Sequence, residues 1–149
     1  MASVPSPIKI KKDGVEYVSK VDRAKYLMVE LERAALRDVG KLIRRRAMQE
    51  ARKLRGLKKG KRVPHAFQYW VRKRDADLQV GIKHNTWYGV LQELGDRNHP
   101  QKSILRNAAF DNIDEIRRIE GMYLKEIEDE NRALGLIQED NEGENPDDD

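Results

Sequence analysis

Apolar and polar side chains alternate at the start of the chain and then change period. Each change marks a new element. Ile8-Lys9-Ile10 and Val15-Glu16-Tyr17-Val18 alternate with period two around Asp13-Gly14, the pattern of a β-hairpin. From Asp22, a candidate N-cap, to about Leu54 the period becomes helical, with Leu27, Leu31, Ala34, Ala35, Val39, Leu42, Ile43, Ala47, Ala51 and Leu54 on one face. No proline interrupts this run, and Gly40 inside it marks close packing or a kink. At ~1.5 Å per residue, a helix of about thirty residues is roughly 45 Å long, more than a small core needs. Residues 56–64 are a basic, breaker-rich loop. Period two then returns in Ala66–Arg72 and Leu78–Lys83, with Arg74-Asp75-Ala76-Asp77 as the turn, and Trp87–Leu91 supplies a third strand. A last helix is predicted from Gln101 or Ser103 to about Leu134. Its stripe is Leu105, Ala108, Ala109, Ile113, Ile116, Ile119, Tyr123 and Ile127, and Gly135 is its stop.

The predicted fold class is α+β: a long N-terminal helix, an antiparallel sheet of about three strands with an N-terminal hairpin besides, and a long C-terminal helix. Residues 1–21 form an arm, 22–135 one domain and 136–149 an acidic tail. No internal repeat is found.

Composition sharpens this picture. The chain has 149 residues, 38% of them charged and 38% hydrophobic, which is a thin core for one domain. Thin cores suit partly exposed helices or folds completed by neighbouring subunits. With no cysteine, disulfides and thiolate metal sites are excluded. No apolar run is long enough to span a bilayer and no signal-peptide core is present, so no membrane partner is expected. The net charge of +4 conceals a segregation. Between Lys41 and Arg62 the single acid is Glu50, and after Arg132 there is no cation, while Glu139, Asp140, Glu142, Glu144, Asp147, Asp148 and Asp149 crowd the end. That arrangement suits contact with a polyanion or charge-matched packing between subunits. The acidic tail alone lacks apolar periodicity and is expected to be disordered unless a basic surface of a neighbour holds it.

The candidate contact residues for DNA or an acidic partner are Lys41, Arg44, Arg45, Arg52, Lys58, Lys59, Lys61 and Arg62. Such a cluster binds phosphates in a salt-sensitive way, or is simply a solvated face. Alternation puts Phe67 and Tyr69 on one face of their strand and Trp70 on the other, so one set is core and the other a candidate interface, with base stacking the less favoured use.

No catalytic constellation emerges. His65, His84 and His99 lack metal-ligand spacing. The serines lie in no Gly-x-Ser-x-Gly elbow. Gly56-Leu57-Lys58-Lys59-Gly60-Lys61-Arg62 is one residue short of a phosphate loop and has Arg62 where Ser or Thr is needed. Asp111, Asp114 and Glu115 read as a solvated acidic face rather than a nuclease metal site. Neither enzyme activity nor a cofactor is expected.

The run from Trp87 to Ala109, WYGVLQELGDRNHPQKSILRNAA, resembles the tail-component family of tailed phages. The family pattern is an aromatic strand closed by Glu and Gly, a polar loop, then a Leu-Arg-Pro-Ala-like start to a C-terminal helix. Tyr88, Glu93, Gly95, Leu105, Arg106 and Ala108 carry the match, which extends over roughly residues 25–127. Asn107 stands where many members carry proline, and Gly56–Arg62 replaces the family's Pro-x-x-Thr-Gly segment. The resemblance implies a structural virion protein at the head–tail junction, assembled in the host cytoplasm as a tail-completion or neck ring, six-fold if it caps a tail tube. The implied partners are further copies of itself, connector or head-completion proteins, tail tube or terminator proteins, and genomic DNA in transit. The implied ring contacts are Trp87, Tyr88, Glu93, Gly95, Pro100, Leu105 and Arg106, with Glu93 paired to a cation within the subunit or across the ring. A small basic nucleic-acid-binding protein whose acidic tail competes for the basic block is the alternative.

Overall fold

In a computed structural model the chain is α+β, with one long helix as the spine on which the other core elements pack. The structure describes residues 3–53, 64–84, 86–98 and 100–142. Strands β1 (Ile8–Lys12) and β2 (Val15–Ser19) form the N-terminal hairpin, and helix α1 (Val21–Arg52) follows at once. The hairpin turn is Asp13-Gly14, both at positive φ (50° and 80°), which is the two-residue geometry that matches strand twist.

α1 is 32 residues, or roughly 48 Å. It starts one residue before the expected N-cap: Lys20 occupies that position without a side-chain cap, and Asp22 sits in the first turn, where its charge suits the positive helix end. Every described member of the predicted apolar stripe is buried, and Gly40 with it. Leu54, the stripe's last predicted member, lies outside the described residues.

A 3-10 turn at Pro64–Ala66 leads into β3 (Phe67–Arg72), which pairs antiparallel with β4 (Asp77–Ile82) in the register Phe67↔Ile82, Tyr69↔Val80, Val71↔Leu78. The turn between them is Lys73–Ala76, and Asp77 belongs to the strand opposite Arg72. The face carrying Phe67, Leu78, Val80 and Ile82 meets α1 at Val39, Ile43, Ala47 and Ala51. Gly40 allows this approach: a Cβ there would lie 2.4 Å from Tyr69 Cδ2 and 3.0 Å from Leu78 Cδ1. Close packing, not a kink, is therefore its role.

The predicted third strand is a helix, α2 (Trp87–Leu94), so the described residues hold two two-stranded sheets. Trp87, Val90, Leu91 and Leu94 fit helical spacing as well as a strand, and a short apolar run cannot distinguish the two. Packing decides it, because Gly89 faces Ala66 and Ile82 so closely that a Cβ would stand 3.0 and 3.1 Å from their side chains. The β3–β4 ribbon has α1 in place of a third strand, which suffices to cover its apolar face.

The predicted long C-terminal helix is three helices: α3 (Ile104–Phe110), α4 (Ile113–Lys125) and, after a 3-10 turn at Glu126–Glu128, α5 (Glu130–Glu142). At the first break the Asn112 amide donates to the Ala108 carbonyl (2.8 Å), competing with the backbone ladder. At the second, Asp129 Oδ1 accepts the N–H groups of Asn131 (3.0 Å) and Arg132 (3.2 Å) and so caps α5. The breaks reset the helical phase. Ile113 and Ile127 of the predicted stripe are exposed, whereas Ile104, Ala133 and Ile137 are buried. Gly135 lies inside α5 rather than ending it, and α5 carries on to Glu142 through the start of the segment expected to be disordered, the rest of which lies outside the described residues.

α4 runs antiparallel to α1, and α5 begins beside the N-terminal end of α1. Arg46 meets Glu115 (3.0 Å), the Tyr123 hydroxyl donates to Asp38, and Arg23 meets Glu130, so the partner number rises as the α1 number falls. The core has two parts along the spine. One joins the C-terminal half of α1 to the ribbon and α3; the other joins its N-terminal half to Tyr123 of α4 and to Ala133 and Ile137 of α5.

Candidate assembly surface

The residues the resemblance assigned to ring contacts gather in one segment that closes on itself. Trp87 and Tyr88 open α2. Gly95 ends it at φ 74°, its N–H bonded to the Leu91 carbonyl at 2.8 Å. The Lys102 N–H donates to the Gln92 carbonyl (2.8 Å) and draws the loop with exposed Pro100 back onto α2. Glu93 then reaches the start of α3. Its two carboxylate oxygens accept the backbone N–H groups of Leu105 (2.9 Å) and Arg106 (3.1 Å).

Within the subunit, then, Glu93 caps a helix instead of pairing with a cation. α3 begins after Ser103, which is in the left-handed region (φ 47°) and makes no side-chain cap. The first N–H groups of α3 therefore need an acceptor, and Glu93 supplies a charged one. Leu105 packs against the core, while Arg106 is exposed with its guanidinium 5.7 Å from the centre of the Phe110 ring. Glu93, Gly95 and Leu105 thus fold the α2–α3 segment within the subunit, and Pro100 and Arg106 remain at the surface.

The basic block divides. Lys58, Lys59, Lys61 and Arg62 lie outside the described residues. Lys41, Arg45 and Arg52 stand on one face of α1, away from the core stripe, over roughly 17 Å of axis. Arg45 and Arg52 are exposed, Arg44 flanks them half-buried, and Lys41 lies 3.7 Å from Asp38. Of the aromatics, Phe67 is 1% exposed in the core, and Trp70 is 44% exposed on the outer face, covering Gly81. Alternation had separated these two faces correctly.

The acidic positions on α4 hold no cluster. The Asp114 side chain is fully exposed and Glu115 is taken by Arg46. Among the described residues, no group of three or more His, Asp or Glu side chains could hold a metal ion, and no helix is long and apolar enough to cross a membrane.

The surface that sequence reasoning missed is apolar and N-terminal. Of the 16 large hydrophobic side chains exposed among the described residues, eight fall between Ile8 and Val29. In the hairpin, Ile8, Ile10, Val15 and Tyr17 share one face by register, and nothing among the described residues covers it: all five residues of β1 and four of β2 are exposed. The signal was available, since a two-stranded hairpin with one apolar face is marginal in water without something to lie on. Comparison of the chain with family models, with curated proteins and with solved structures finds no match.

Proposed function

We propose that this chain is a structural protein of a tailed-phage particle, a tail-completion or neck component that assembles with copies of itself at the head–tail junction and surrounds the passing genome. The observation that carries the assembly part of this reading is the uncovered apolar face of the β1–β2 hairpin and the adjoining start of α1. Contiguous apolar surface of this kind marks an interaction site. The thin core points the same way, and the resemblance of residues 87–109 to the tail-component family supplies the place in the particle. Disrupting the gene in the phage that carries it tests the role. Electron microscopy of lysates is expected to show full heads beside separate, finished tails, with joining restored by complementation. Normal infectious particles would remove the proposal.

A second reading has its own observation, the stripe of Lys41, Arg45 and Arg52 on the outer face of α1. It favours a nucleic-acid-binding protein whose acidic C-terminal end competes with DNA. A salt titration decides: retention of duplex DNA that falls steeply with salt, and that is lost when the three cations are changed to Glu, supports it. No retention even at low ionic strength sinks it.

A further inference from the structure

The outer face of the β3–β4 ribbon is polar but for one side chain. By register it carries Gln68, Trp70 and Arg72 on β3 and Asp77, Gln79 and Gly81 on β4. Trp70 stands opposite Gln79, and the far edge of its six-membered ring, Cζ3 and Cη2, would lie 3.8 Å from a Cβ added to Gly81 on the diagonal. The indole therefore leans across the ribbon onto β4, and with 44% of the residue exposed its outward side is in solvent. An apolar contact between proteins needs several such side chains together, and Trp70 has none beside it on this face. A lone ring laid on a sheet between amide side chains suits a flat, polar-edged partner such as an unpaired base.

The charges beside it select the partner. Arg72 holds both acids at this end of the ribbon: its Nε lies 2.6 Å from Asp77 and its Nη1 3.3 Å from Asp75. Lys73 and Arg74, in the turn, are exposed and form no ion pair among the described residues. Residues 64–83 hold four cations against two acids. Arg72 ends β3 two residues after Trp70, so the turn begins roughly 7 Å from the ring at ~3.3 Å per residue, within reach of the phosphates of a base stacked there.

We infer that the outer face of the β3–β4 ribbon binds single-stranded nucleic acid, with a base stacked on Trp70, its edge toward Gln68 or Gln79, and its phosphates on Lys73 and Arg74. This site goes beyond the neck role and the α1 stripe alike. The ribbon lays its inner face on α1, so its outer face and the stripe look to different sides of the subunit. The ligand is a single strand because a base inside a duplex cannot lie flat on the ring.

In the test, full-length protein is titrated into end-labelled oligo(dT) at low salt, reading the anisotropy of the label and tryptophan emission together. The wild type is expected to bind and to lose emission. Trp70→Ala is expected to bind about 5- to 150-fold more weakly. Trp70→Phe keeps a stacking ring and is expected to bind nearly as the wild type does, with the emission loss gone, since Trp87 is then the one tryptophan left. Lys73→Ser/Arg74→Ser is expected to lower the slope of log affinity against log salt by about 1.4, at ~0.7 for each lost phosphate contact. Lys41→Ser/Arg45→Ser/Arg52→Ser, which removes the α1 stripe, is expected to leave the emission loss in place. Circular dichroism confirms that each variant is folded, and Trp70→Phe carries the test if Trp70→Ala is not. No binding at low salt, equal affinity in the wild type and Trp70→Ala, or an emission loss that persists in Trp70→Phe overturns the inference. Tighter binding of duplex that is lost with the stripe but not with Trp70 supports the stripe and overturns this site. A fall in solution mass in Trp70→Ala without any oligonucleotide binding makes Trp70 a contact between subunits, and overturns it too.

Discussion

Gly40→Ala measures how closely α1 and the β3–β4 ribbon are fitted. A Cβ at position 40 would lie 2.4 Å from Tyr69 Cδ2 and 2.7 Å from Tyr69 Cγ, where ordinary contact begins at 3.4 Å. The gap must therefore open by about 1 Å by the difference of those distances. Cγ is anchored next to the β3 backbone, so the ring cannot swing clear at its far end. Either Tyr69 leaves its rotamer or the ribbon lifts off α1. Overpacking of this kind costs about 1–3 kcal/mol, and anchored contact places this case in the upper half. Replacing glycine by alanine inside a helix returns about 1 kcal/mol. The net expectation is a loss of about 1–2 kcal/mol, or a fall of about 2–8 °C in Tm for a domain of this size. Gly121→Ala and Gly135→Ala are the internal controls. They make the same change inside α4 and α5, where an added Cβ meets nothing within 4 Å. Each should gain about 0.5–1 kcal/mol. Thermal melts followed by circular dichroism read all three. If Gly40→Ala is as stabilising as the two controls, the close approach of the ribbon to α1 is wrong.

Two further predictions follow from single contacts. Glu93→Ala leaves the first N–H groups of α3 without their carboxylate and should cost about 1–2 kcal/mol. Amide exchange at Leu105 and Arg106 should accelerate, with Glu93→Gln intermediate, and unchanged protection there would refute the capping role. The Asp77 carboxyl is held below its ordinary value, first by its hydrogen bond from Arg72 (2.6 Å from Nε), which outweighs the opposing cost of desolvation and is helped by the guanidinium charge. A lowered carboxyl pKa adds stability above its unfolded value and loses it as pH falls through the folded one. Asp77→Asn should therefore flatten part of the acid-side decline while changing little near neutrality, because an exposed pair is well screened. A parallel drop in the pH–stability curves of both proteins would contradict this.

The stripe of α1 was legible from sequence because 3.6-residue periodicity is a property of the chain itself, and no proline interrupts it from Asp22 to Arg52. The first hairpin was legible for a similar local reason, since Asp13-Gly14 supplies the two positive-φ residues that the turn requires. Asp129 at the start of α5 was legible in principle: an aspartate before Glu130-Asn131-Arg132 is an ordinary N-cap signal, hidden by an apolar stripe that was read straight through it. By contrast, Trp87–Leu94 satisfies both periods, and only the seat of Gly89 against Ala66 and Ile82 makes it a helix. Once α2 is a helix, Glu93 comes within reach of α3, a partner twelve residues away that no local pattern could choose. The same holds for the apolar surface of residues 8–29. Its alternation was plain in the sequence, but alternation predicts a face without saying what covers it. Among the described residues of one subunit the tertiary structure leaves it uncovered, because the stripe of α1 is already buried against the ribbon, α3, α4 and α5, and the apolar side chains at the start of α1, Val21, Met28 and Val29, stay exposed with it.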